Sequence, residues 1–236
     1  MRRKRRTRDE TRTLLLDAAV RVALARSNGD GGGSTNPLAG VRITDALDEV
    51  NRQLRDADPD ATPMTTGAVY NIWPNQEDFQ QALLDRIMAE AAVPQIDQVR
   101  AALDEGLRLG DDWRGLAARC FGVDFDVSFR EPTMFLMIGV SALAPPERIR
   151  ATNEQGNANY VAETGEILRR IIRHGGRRLA PGRTIADLVW AIEAIEVGYL
   201  VRQRTNPEIT SRRAGGRTVV QTAIIGLVEG FTVDAS

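Results

Sequence analysis

The chain has 236 residues, and 42% of them are hydrophobic. That is enough for one large domain or two unequal ones around a sizeable core. Formal charge is -1, yet residues 1–12 set seven basic side chains against two acidic ones, a local +5 that leaves -6 on the rest. This excludes a globally basic binder and fits either a solvated tail or an arm that meets phosphate locally.

One cysteine, Cys120, excludes an intrachain disulfide framework, and its apolar neighbourhood predicts a core thiol. With a single histidine, His174, the chain also lacks the residues for His/Cys metal centres and most nucleophile–base pairs. Asp17 and Arg21 interrupt Leu14 to Ala25, so no secretory h-region follows the basic start. No stretch approaches the ~20 apolar residues of a membrane span, and a cytoplasmic location is expected.

The first helix is predicted from Thr7 to about Arg26. Thr7 and Glu10 form a capping box, and Leu15, Ala18, Val22 and Ala25 make an apolar stripe. Asn28 to Gly40, with Gly31-Gly32-Gly33-Ser34, reads as a loop. The second helix runs from about Ile43 to Arg55 and ends in a segment with two prolines and three acids, Asp56 to Pro63. Thr65 caps a short third helix, Thr66 to Ile72, which Trp73-Pro74 closes. Asn75 caps a fourth, where Glu77 and Asp78 suit the positive end of the helix dipole.

Beyond Val93-Pro94 the spacing predicts helices at Gln95–Leu109, Asp112–Ser128, Pro132–Leu143, Pro146–His174, Thr184–Arg204 and Arg213–Thr232. Gly175-Gly176 follows His174 as a helix stop, with His174 as a partner for the dipole. No strand alternation stands out. The expected fold is all-α, with nine or ten helices. A small three-helix helix-turn-helix module precedes a larger helical bundle, with residues 1–90 for DNA and 91–236 for ligand binding and dimerisation.

A recognition helix must be slim where its backbone nears DNA, and Thr65, Thr66, Gly67 and Ala68 satisfy that. Threonine hydroxyls reach phosphates or base edges, and Asn71 does the same. Tyr70 suits either packing or a phosphate contact, and Gly67 either helix packing or close approach. Val69, Ile72 and Trp73 read as core. The first amides of the fourth helix, around Asn75 to Glu77, can hold a phosphate.

Thr65 to Phe79 resembles the recognition-helix signature of the TetR family of transcriptional repressors: small-polar, any, Gly, small, aliphatic, Tyr, two variable residues, aromatic, Pro, small-polar, Lys, acidic, acidic, apolar. Thr11 to Ala25 resembles that family's first helix. The resemblance implies a homodimer that binds a palindromic double-stranded operator and releases it when a small molecule fills the C-terminal domain. It implies that Thr65, Thr66 and Asn71 face the groove and that Tyr70 touches a phosphate. Thr44, Gly67, Asn75 and Gln76 are further candidate DNA contacts, and Arg2, Arg3, Lys4, Arg5 and Arg6, upstream of the first helix, are candidates to enter an adjacent minor groove. The sequence departs from the signature in three ways. Gln76 stands where a phosphate-binding lysine is usual, and Trp73 where Phe is. Thr44 and Thr65 are 21 positions apart, about twice the family's spacing.

In the second domain, Trp113, Phe121, Phe125, Phe129, Met134, Phe135 and Met137, with Tyr160, Trp190 and Glu193, are the candidate ligand pocket. Glu193 and Glu196 lie one turn apart in an apolar helix and need a partner, either an arginine or a cationic ligand. The last two long helices are apolar nearly all round, so Ile192, Ile195, Leu200, Val220, Ile224 and Leu227 are the candidate dimer interface. No catalytic residue, metal or cofactor is assigned. The competing readings are a DNA-binding dimer without a ligand and an all-α enzyme working through carboxylates.

Overall fold

The computed structural model describes residues 6–28, 38, 40–91 and 96–235. Eleven helices lie among them. They are α1 (Arg8–Asn28), α2 (Ile43–Ala57), α3 (Thr66–Tyr70), α4 (Gln76–Ala91), α5 (Ile96–Leu109), α6 (Trp113–Arg130), α7 (Pro132–Leu143), α8 (Pro146–His174), α9 (Ile185–Thr205), α10 (Pro207–Thr210) and α11 (Val219–Phe231). The all-α architecture agrees with the helical periodicity of the sequence. No helix among the described residues is long and apolar enough to cross a membrane.

The chain divides into two compact units, Met1–Ala91 with Phe135–Thr152, and Ala92–Met134 with Asn153–Ser236. Residues 135–152, placed in the second domain by the sequence reading, pack with the first unit. The reason is apolar surface: Leu136 and Val140 are buried in the cluster formed by α1 to α4, and Met137 and Ile149 pack against it.

In the first unit the expected capping box is present, with the Thr7 N–H donating to Glu10 Oε2 at 2.7 Å and the Glu10 N–H to Thr7 Oγ1 at 3.1 Å. Leu15, Ala18, Ala19 and Ala23 of α1 pack against Ile43, Ala46, Leu47 and Val50 of α2 in one buried cluster. The edge of the Trp73 ring meets Phe79, with centroids 5.3 Å apart, and both are buried. Trp73 is therefore the plug between the end of α3 and the body of α4.

The core of the second unit is built on Leu103, Leu116, Phe121, Leu168, Ile171, Leu188, Ile192 and Ile224. Gly106 lets α5 approach α6, because a Cβ there would stand 2.6 Å from Leu116 Cδ2. Cys120 is buried, and burial pushes its thiol up to about 12, as expected of a core cysteine. His174 closes α8, with Nε2 3.0 Å from the Asp111 carbonyl oxygen.

Three features differ from the sequence reading. The last helix begins at Val219 and not at Arg213. Gly215 and Gly216, at φ 59° and 80°, turn the chain so that strand β2 (Arg213–Ala214) pairs with β3 (Arg217–Thr218) first. A second antiparallel pair, β1 (Arg177–Leu179) with β4 (Thr232–Asp234), was hidden because three residues are too few to show an alternation. Finally, most of the residues assigned to a dimer interface lie inside the protomer. Ile192, Leu200, Val220 and Ile224 are buried, while Ile195 and Leu227 pack half-buried against the same core. A helix that is apolar nearly all round still has one face buried by its own chain, and here that face carries Leu188, Val189, Ile192 and Leu200.

Candidate nucleic-acid interface

The recognition segment is held from one side and open on the other. Val69 is buried at 1% exposure and Trp73 at 4%, whereas Thr65, Thr66, Gly67, Tyr70 and Asn71 are exposed. Thr66, Gly67, Tyr70 and Asn71 fall at one-turn spacing and form a continuous outward face. Thr65 caps it, accepting the Ala68 N–H at 3.3 Å. A Cβ at Gly67 would meet only Thr65 Oγ1, at 3.9 Å, so packing within the protein does not require a glycine there. Tyr70 is 46% exposed, which sets its ring outward. Thr44 is exposed on the first turn of α2, and Arg6 is exposed just before α1. Arg2, Arg3, Lys4 and Arg5 lie outside the described residues.

Two side chains position this face, and neither was predicted to do so. Asn51, on α2, grips the backbone of Met64 in both directions. Its Nδ2 donates to the Met64 carbonyl at 3.0 Å, and its Oδ1 accepts the Met64 N–H at 2.6 Å. Met64 itself is buried. That grip returns the long segment after α2 to the start of α3, so the doubled Thr44–Thr65 spacing is taken up by a longer α2 and an anchored loop.

The second is Gln76. Its Nε2 donates to the Val41 carbonyl at 2.9 Å and its Oε1 accepts the Ile43 N–H at 3.0 Å. The reading of Gln76 as a DNA contact is corrected: the amide is engaged in joining the start of α4 to the start of α2. Asn75 is similarly engaged, accepting the Asp78 N–H at 2.8 Å and donating to the Asp78 carboxylate at 3.0 Å. What remains for a phosphate at this point is the backbone of the first turn of α4.

The acidic segment is partly neutralised within the unit. Asp56 pairs with Arg52 at 3.0 Å, and Asp58 accepts the Asp60 N–H at 3.0 Å. Arg52 also bonds Glu49, which holds that carboxyl below its usual range against the opposing effect of burial. Arg12 adds a cation beside the reading segment, with its guanidinium 6.0 Å from the centroid of the Trp73 ring.

The second unit contains a cavity of about 380 Å³ between α5, α6 and α8, lined by Ile96, Asp97, Val99, Arg100, Phe121, Asp124, Gly156, Asn159, Tyr160, Glu163, Thr164 and Ile167. Of the predicted pocket residues, Phe121 and Tyr160 line it. Trp190 stands beside Tyr160, with ring centroids 6.0 Å apart. Glu193 is close enough for its charge to act on Tyr160.

The others are elsewhere. Trp113 is buried under Gly175, with Arg114 and Arg177 over its ring at 4.5 and 5.3 Å. Phe125 packs half-buried against the core, Met134 is buried, Phe129 is exposed and Phe135 half-buried. Met137 packs against the first unit. The aromatic and sulfur run was read as one lining, but a helix distributes such residues over all its faces.

Sequence reasoning missed Asp124, although an acid in the apolar run Cys120 to Phe125 was the available signal. Burial pushes Asp124 up to about 6. Burial likewise raises Glu193, and it raises Glu196 well above the usual range, with the charges of Asp124 and Glu193 adding to the effect. Tyr160 is raised by burial and then by Glu196, Asp124 and Glu193.

No protein-family model and no curated protein matches the chain. Solved structures do resemble it. A TetR-family transcriptional regulator from Cytophaga hutchinsonii superimposes with a TM-score of 0.52 at 14% identity, covering 98% of this chain and 100% of that one. A protein assigned to the TetR family of transcription regulators from Shewanella sp. PV-4 gives a TM-score of 0.53 at 14% identity, over 97% and 100%. The chain therefore has the fold of the TetR-family transcription regulators along nearly its whole length.

Proposed function

We propose that this chain is a DNA-binding transcription regulator of the TetR kind, acting in the cytoplasm as a homodimeric repressor and not as an enzyme. It binds a palindromic double-stranded operator and is released by a small molecule held in the cavity of its second unit. The observation that carries this reading is the outward face of α3. Polar side chains and a glycine with open space above it are presented on a helix whose opposite side is anchored by Val69 and Trp73. An exposed glycine with no packing role is what close approach to a duplex requires.

The dimer is supported by a second face. On α9, Trp190, Ala194, Gly198 and Val201 are exposed at helical spacing, and on the adjacent α11 so are Thr222, Gly226 and Gly230. A Cβ at Gly198, Gly226 or Gly230 would meet nothing within 4 Å. Small residues at such spacing let helices from a second copy approach closely. Two copies would then present two α3 helices to successive major grooves, and an effector that favours another spacing of the two would release DNA.

The test is selection of duplexes from a random pool by the full chain, followed by binding measurements with Gly67→Leu. The leucine fits the protomer, so its melting curve should match wild type while affinity for the selected duplex falls at least about tenfold. Selection of no common sequence, or full affinity in Gly67→Leu, refutes the reading.

A further inference from the structure

The second unit sets three acids near one another, Glu196 buried and Asp124 and Glu193 half-buried, with no described cation paired to them. Asp124 on α6 and Glu193 and Glu196 on α9 act on one another and on Tyr160 of α8. None of the three carboxylates forms an ion pair or side-chain hydrogen bond with a described residue. Glu196 is 7% exposed, and its Oε1 is buried without a hydrogen-bond partner. The cavity wall holds one basic residue, Arg100, which is paired with Asp97 at 3.2 Å.

An unpartnered buried carboxylate is destabilising, and a protein that gained nothing from it would be more stable with an apolar residue there. Protonation removes the charge but leaves Glu196 Oε1 unsatisfied. What the cluster lacks is a cation with hydrogen-bond donors, brought from outside.

We infer that the cavity receives an organic cation, a protonated amine on an apolar or aromatic body, whose charge answers Asp124 on the cavity wall, with Glu193 and Glu196 of α9 acting on it from outside the lining, and whose body lies against Phe121 and Tyr160. The volume, about 380 Å³, falls within the range of small-molecule sites. An aromatic ring on the cavity wall favours the same ligand, because the face of a ring attracts a cation, and Tyr160 supplies one. A bare metal ion fits less well, since no group of three or more His, Cys, Asp or Glu among the described residues is arranged to hold one. The inference names the ligand class for the effector site proposed above and rests on that reading only for its consequence at DNA.

The test uses the full-length protein and three probes with one carbon skeleton: phenylbutylamine, phenylbutanol and phenylbutyrate, which are cationic, neutral and anionic at neutral pH. Calorimetry should show the amine binding at least about tenfold more tightly than the alcohol and the carboxylate binding weakest. In Asp124→Asn and in Glu196→Gln the advantage of the amine over the alcohol should shrink. Both variants remove a buried charge, so folding is favoured, and circular dichroism checks it.

An alcohol that binds as tightly as the amine, an amine that shows no binding at millimolar concentration, or an unchanged advantage in both variants overturns the inference. Release of the selected duplex is measured separately. Amine binding without release leaves the cation site standing and counts against the effector reading alone.

Discussion

Replacing Gln76 by lysine, the residue usual at this position in the resembled family, should weaken this protein. The Gln76 amide makes two hydrogen bonds, at 2.9 and 3.0 Å, to backbone groups that precede and open α2. A typical hydrogen bond contributes about 1 kcal/mol net, so losing both should cost about 2 kcal/mol, somewhat less where water reaches the half-buried site. Lysine also sets a cation at the positive end of α4, adding a few tenths of a kcal/mol. For a chain of this size the midpoint of thermal unfolding should fall by about 4–8 °C.

The assay is a melting curve by circular dichroism for Gln76→Lys, with Gln76→Glu and Gln76→Ala beside it. Glutamate keeps the acceptor for the Ile43 N–H and loses the donor, so it should fall between wild type and alanine. Melting of all three within about a degree of wild type would refute the clamp.

Asn51→Ala should cost a similar amount, about 2 kcal/mol, and hydrogen exchange at the Met64 amide should accelerate more than at Val69. The buried acids make stability depend on pH in a stated direction. Asp124 rises from an ordinary 3.8 to about 6, so the folded state binds its proton more tightly. Stability is therefore lost as pH climbs between those values, by about 3 kcal/mol, and stays lower above them. Glu193 and Glu196 from α9 act in the same direction, and Tyr160 stays neutral. Asp124→Asn should be the more stable protein at pH 7 and show a shallower acid-side slope in urea titrations; a variant less stable than wild type at pH 7 contradicts this. Gly198→Arg should leave the protomer folded, since its Cβ meets nothing, while sedimentation shifts from dimer to monomer at micromolar concentration. A dimer that survives places the interface elsewhere.

Much of the architecture was legible because long amphipathic helices declare themselves by period. Pro132–Leu143 and Pro146–His174 were readable to the residue, since proline fixes the start of each. The capping box at Thr7 and the cap at Thr65 were equally local. The clamps were not, because Asn51–Met64 and Gln76–Val41 join residues 13 and 35 positions apart through side chains with no periodic signal. The cavity was legible only in part. Periodicity shows that a helix buries a face but not which neighbour covers it, so Phe121 was placed with Met137, a residue that packs in another unit. The same ambiguity put Ile192 and Ile224 at a dimer face, when the small residues between them, Ala194 and Gly198, are the ones left uncovered.

The short β1–β4 ladder has a mechanical meaning. Arg177 bonds Thr232 Oγ1 at 2.8 Å and the Thr232 carbonyl at 3.1 Å, and it pairs with Asp234 at 2.8 Å. These bonds fasten the strand that precedes α9 to the strand that follows α11, so both helices belong to one loop of chain closed at its base. Loop closure of this length costs entropy that grows only logarithmically, which a few charge-assisted bonds offset. The ladder therefore ties together the two ends of the chain segment that carries α9 and α11, the same two helices that pack against each other along their length.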